Sequence, residues 1–133
     1  MQCSSAFCSF RSEFMKIREI IDRIDSLKTN QYTQEDKISW LSELDSRVNL
    51  WYSKNENGHE FAGYNKDTDI DDTVLLLPDA FSKVYIHWLE AQIDYWNGEY
   101  ARYNNSITLF NTEWSRFEQW YIATHPKKLR FKF

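Results

Sequence analysis

From Met15 onward, Ile17, Ile20, Ile21, Ile24 and Leu27 recur at helical spacing, while Lys16, Arg18, Glu19, Asp22 and Arg23 fill the other face. The pattern predicts an amphipathic helix of about three turns. Thr33 stands three residues before Asp36, so it can cap a second helix whose first turn places Glu35 and Asp36 at the positive end of the dipole. The apolar face of that helix is Ile38, Leu41, Leu44, Val48 and Trp51, which should pack on the isoleucine stripe as a helical hairpin.

Residues 53–73 break every period and hold Gly58, Gly63 and the acidic group Asp67, Asp69, Asp71 and Asp72, before the apolar run Val74–Leu77 meets Pro78. This reads as a long loop ending in a short extended segment. Loops of that length tend to be binding segments, which makes this one, with Phe61 and Tyr64, a candidate contact surface. Pro78 or Asp79 opens a third helix, whose Phe81, Val84, Tyr85, Ile86, Trp88, Leu89, Ile93, Tyr95 and Trp96 leave hardly any polar face. A helix apolar all round must be covered by the other helices or by a neighbouring subunit. Asn97-Gly98 offers a stop, and from Glu99 a fourth helix carries Tyr103, Ile107, Phe110, Trp114, Phe117 and Tyr121 on one seam. The same spacing runs back through Tyr100, Trp96, Ile93, Leu89 and Ile86, so one long kinked helix is the alternative. It would reach roughly 65 Å at about 1.5 Å per residue, and the hairpin is preferred.

After Pro126, Lys128, Arg130 and Lys132 alternate with Leu129, Phe131 and Phe133, the period of an extended chain. With Lys127, four of the 16 basic residues fall in the last seven positions. The formal charge is therefore +4 on this arm and −8 on the rest of a chain whose total is −4. Six Trp, eight Tyr and nine Phe in 133 residues supply ample apolar area for one folded domain. The longest apolar candidate, Val74–Leu77, is far below the roughly 20 residues of a membrane-spanning helix, so none is expected. The only cysteines, Cys3 and Cys8, cannot close loops across the domain, which fits a reducing compartment. Residues 1–14 lack a signal-peptide pattern and are expected to be a poorly ordered extension anchored by Phe7, Phe10 and Phe14.

Candidate chemistry is sparse. Asp67, Asp69 and Asp71 have calcium-loop spacing, but Asp72 stands where Gly is needed and Pro78 where a bidentate Glu is needed. The favoured reading is a solvated acidic loop or a docking surface for a basic partner. His87, Glu90 and Asp94 share one helical face, as ligands of a bundle metal site do, yet the fourth helix offers Glu113 and Glu118 without a matching His. No phosphate-binding loop, dinucleotide fingerprint, zinc motif or nucleophile elbow occurs, and His59, His87 and His125 have no evident catalytic partners. These readings favour a binding or structural role with no catalytic residue, metal or cofactor. The arm suits strand addition, in which Leu129, Phe131 and Phe133 fill pockets of another subunit while Lys127, Lys128, Arg130 and Lys132 meet acidic surface. Nucleic acid is a poorer fit, because the acidic body would repel it.

The stretches IREIIDRIDSLKTNQYTQEDKISWLSELDSRV (17–48) and LLLPDAFSKVYIHWLEAQIDYWNGEYARYNNSITLFNTEW (75–114) resemble small proteins encoded among the head genes of tailed bacteriophages and prophages of Gram-positive hosts. YWNGEYARYNNS (95–106) and the Thr-His-Pro at 124–126 are the most specific pieces, and the likeness covers most of residues 15–126. The resemblance implies a head-tail connector, also called an adaptor or head completion protein. Such a protein forms a ring, typically of twelve copies, between the portal and the next neck or tail component. It further implies assembly in the host cytoplasm, a final place in the virion neck, DNA met only as it passes through the channel, and no membrane partner. The expected fold is all-α, a four-helix bundle of two helical hairpins (15–126) with a long central loop and an extended C-terminal arm (127–133). Expected partner contacts are the arm, Lys127 to Phe133, together with Phe61, Tyr64, Asp67, Asp69, Asp71 and Asp72. The alternative is a small non-catalytic DNA-packaging accessory or regulatory phage protein, which would require a basic helix face.

Overall fold

The isoleucine stripe begins its helix later than the periodicity suggests. In the computed structural model, which describes residues 13–55 and 60–126, α1 spans Ile17–Leu27, because Met15 and Lys16 are drawn into a short strand, β1 (Phe14–Lys16). β1 pairs antiparallel with β2 (Val74–Pro78), Phe14 opposite Pro78 and Lys16 opposite Val74, with an irregularity between them. Phe14, expected within the poorly ordered extension, is thus a strand residue. The first amides of a helix have no partner within it. Here Ile17 N–H donates to the Thr73 carbonyl and Arg18 N–H to the Ile70 carbonyl, each at 3.0 Å, so the central loop caps α1. Glu19 Oε1 accepts from the Lys16 amide at 3.0 Å and completes the cap.

α2 (Gln34–Lys54) starts as its sequence indicates. Thr33 Oγ1 accepts from Asp36 N–H, and Asp36 Oδ2 accepts from Thr33 N–H, both at 3.1 Å, a reciprocal capping box. After β2 a 3-10 turn (Asp79–Phe81) leads into α3 (Ser82–Trp96), and α4 covers Tyr100–Thr124. The chain reverses between them at Asn97-Gly98. Gly98 has φ +75°, a left-handed conformation that side chains resist, and Glu99 N–H returns to the Asp94 carbonyl at 2.9 Å. Helices three and four are therefore separate. The chain is mainly helical, as expected, and the two-stranded sheet is the feature that the helical periodicities did not announce.

α3 is the axis of the packing. Its Val84, Tyr85, Ile86, Trp88, Leu89, Ala91 and Ile93 are buried, and α4 makes the largest contact with it. α1 and α2 each lie against α3 more than against one another, so the expected stripe-on-stripe contact between the first two helices is the smaller one. Ile17, Ile20, Ile24, Leu41, Val48, Leu75, Leu77 and Phe117 complete the core. Trp51 ties α2 to α4, with ring centroids 5.6 Å from Trp114, 5.4 Å from Phe117 and 4.9 Å from Tyr121. Each such aromatic pair adds roughly 0.5–1.5 kcal/mol beyond its area burial.

Candidate functional site: a buried carboxylate behind an apolar cleft

Asp45 lies on the buried stripe of α2, between Leu41 and Val48, and is wholly inaccessible. No Lys, Arg or His pairs with it among the described residues. Three donors meet it instead: Tyr85 hydroxyl at 2.7 Å on Oδ1, and Tyr64 hydroxyl at 2.6 Å and Leu76 N–H at 3.2 Å on Oδ2. Tyr85 accepts in turn from Leu77 N–H at 2.8 Å, and Tyr52 hydroxyl donates to the Leu76 carbonyl at 3.0 Å. One carboxylate thus ties α2, the central loop, β2 and α3 together. Burial pushes its pKa up to about 6, against the opposing pull of the tyrosine hydroxyls and the Leu76 amide. The same burial raises the phenols of Tyr52, Tyr64 and Tyr85, with the Asp45 charge adding to the effect, so all three stay protonated as donors.

In front of this network opens an apolar cleft of about 720 Å³, lined by Phe14, Tyr52, Phe61, Val74, Leu75, Leu76, Pro78, Trp120 and Tyr121, with Glu13, Asn49, Glu60 and His125 also on its wall. β2 forms its floor and the end of α4 one side. His125 stacks on Tyr121 at 4.1 Å, which fixes where the chain leaves the helix. At the opposite end of the molecule a second buried carboxylate, Asp94, is met by Lys28 Nζ at 2.7 Å and by the Ser106 hydroxyl at 3.0 Å. Beyond it Tyr95, Trp96 and Tyr100 are 46%, 60% and 61% exposed and touch one another around Tyr95, which also meets Tyr103.

The loop residues expected to contact partners divide into two groups. Tyr64 turns inward to Asp45, and its amide donates to Ser42 Oγ at 2.9 Å. Gly63 makes that approach possible: its φ is +87°, and a Cβ there would stand 2.8 Å from Ser42 Oγ. Asp71 pairs with Arg18 at 2.8 Å, a contact that holds its carboxyl below the ordinary range, and Asp69 Oδ1 accepts from Asp71 N–H within the turn. Phe61 lines the cleft and packs on Tyr64 in a T-shaped pair with ring centroids 5.1 Å apart, while Asp67 and Asp72 are exposed. Lys127 to Phe133 lie outside the described residues. His87 and Glu90 pair at 2.8 Å, but Asp94 on the same helix turns to Lys28 and Ser106. Among the described residues no three His, Cys, Asp or Glu side chains stand together as a metal-holding group.

Sequence reasoning missed Asp45, Tyr52, Tyr85 and the Lys28–Asp94 pair. A signal existed for Asp45: an acidic residue four after Leu41 and three before Val48 occupies an apolar stripe. Lys37, four before Leu41, gave the same sign, and it is buried against Asp25 at 2.7 Å and the Tyr32 carbonyl at 2.9 Å. Compared with protein-family models, with curated proteins and with solved structures, the chain matches none.

Proposed function

We propose that this protein is a structural head-tail connector of a tailed phage, a non-catalytic adaptor that self-associates in a ring, about twelve copies in such assemblies, between the portal and the next neck or tail component. The observation that carries the reading is the contiguous aromatic cap of Tyr95, Trp96 and Tyr100 at the α3–α4 turn, a largely apolar patch that the fold leaves open to solvent. It falls within YWNGEYARYNNS, the part of the sequence that most closely resembles connector proteins. Leu109 and Ile122 add exposed apolar surface along α4, as expected of a subunit packed between neighbours. The four helices serve this role as a bundle of two hairpins, rigid at the Asp45 and Asp94 knots. The head-to-tail contact of a ring closes only when the rotation between copies fits, and the portal can serve as the template. DNA meets the assembly only in transit, in keeping with the −8 charge of the body.

The test is the native mass, by light scattering, of the purified protein alone and mixed with the portal protein of the same phage. Stoichiometric association is expected, and its loss in a Tyr95→Ser, Trp96→Ser, Tyr100→Ser variant with unchanged helicity would place the contact at the cap. Failure to associate at every salt concentration tried would overturn the portal-adaptor reading.

A further inference from the structure

We propose that the apolar cleft between β2 and the end of α4 is the binding site for this chain's own residues 127–133, held in cis. This inference concerns the isolated molecule and stands whether or not the protein is a connector. Three observations carry it. The first is the point of departure: His125, stacked on Tyr121, is itself part of the cleft wall, so the arm is tethered one residue beyond the cleft's edge. Seven residues extend at most about 25 Å, enough to cross a cavity of about 720 Å³. Such a short tether gives an effective concentration in the millimolar range, well above that of a second copy at ordinary protein concentrations.

The second is chemical fit. The arm alternates Leu129, Phe131 and Phe133 with Lys128, Arg130 and Lys132. In an extended chain that period puts the three apolar side chains on one side and the cations on the other. The cleft offers the complement, an apolar lining that includes Phe14, Leu76, Pro78 and Trp120, with Glu13 and Glu60 on its wall. Neither glutamate has a cationic partner among the described residues. The arm's +4 is thus set against two cleft carboxylates on a body of −8.

The third sets the mode of contact. Strand addition to β2 would require free backbone groups, yet Leu76 N–H is already given to Asp45, the Leu76 carbonyl to Tyr52 and Leu77 N–H to Tyr85. Side chains in the cleft therefore carry the contact, in place of a backbone ladder along β2.

The experiment compares the full-length chain with a full-length Leu129→Ser, Phe131→Ser, Phe133→Ser variant by amide hydrogen exchange, with light scattering on both. Exchange at residues 13–16 and 74–76 should quicken about tenfold or more in the variant, and a synthetic peptide of residues 126–133 should restore protection there. The two chains should have the same native mass. Equal protection in the two chains would overturn the proposal. A wild-type dimer that the triple substitution converts to monomer would overturn it in favour of an arm exchanged between copies. A Glu13→Gln, Glu60→Gln variant keeps the charge argument separately testable: peptide affinity for the triple-serine chain carrying these changes should fall at low salt, and an unchanged affinity would remove the electrostatic part of the fit.

Discussion

The two ends of the molecule each bury a carboxylate, and they neutralise it in different ways. At the α3–α4 turn, Asp94 meets an ammonium from Lys28, whose side chain is still 21% exposed, and a single hydroxyl from Ser106. At the β2 end, Asp45 meets two hydroxyls and one backbone amide, and those donors come from the loop, the strand and α3. The Asp94 pair joins the end of α1 to the helical hairpin and is a local clasp. The Asp45 network spans elements far apart in sequence and adds to the strand pairing and helix-capping bonds that position the central loop and β2. A charge held by a cation needs one partner. A charge held by neutral donors needs several, so it reports on whether all of them have arrived.

Substitution at the two carboxylate sites should separate these roles. The largest effect is expected for Asp45→Ala at pH 7, which strands two buried phenol hydroxyls and the Leu76 amide, at a cost of about 4 kcal/mol in urea denaturation. Loss of under about 1 kcal/mol would mean that water replaces the carboxylate and that the network organises little.

Next comes pH. The folded pKa of Asp45, about 6, lies above its ordinary value of 3.8, so the folded state holds the proton more tightly. Its contribution to stability is fully present below about pH 4 and is lost as pH rises through 6, an amount of order 3 kcal/mol. The stability difference between wild type and Asp45→Asn, measured at pH 4, 5, 6 and 7.5, should carry this slope. A flat difference would show that the hydroxyl and amide donors fully offset burial.

Lys28→Met should be the smallest of the three, about 2 kcal/mol, since the ammonium is partly hydrated and its loss leaves Asp94 with the Ser106 hydroxyl. A cost above that of Asp45→Ala would reverse the ranking of the two ends.

Much of this architecture was legible along the chain. Thr33 and Asp36 announced the start of α2, Asn97-Gly98 the reversal, and Val74–Leu77 the extended segment, because caps, turns and apolar runs act over a few residues. The isoleucines of α1 and the apolar stripe of α2 named their buried faces for the same reason. The exposed aromatic cap was already present in the sequence as a run of Tyr and Trp at a helical turn, although only the fold shows which of these rings remain uncovered. Tyr64 was read as a contact residue because its place in an irregular loop suggested exposure; its inward turn depends on Ser42 and Asp45, some twenty residues away.

What the sequence determined by itself is the set of helices, the cap that starts α2, the turn that separates α3 from α4 and the division into an acidic body and a basic arm, since each rests on neighbours in the chain. Tertiary structure alone decided that Met15 leaves the helix for a strand, that α3 rather than α1 is the partner of α2, and that Asp45 is the point where loop, strand and helices meet. Those outcomes depend on pairings between residues 19 to 64 positions apart, in which a buried donor must find an acceptor, and no local pattern specifies which one it finds.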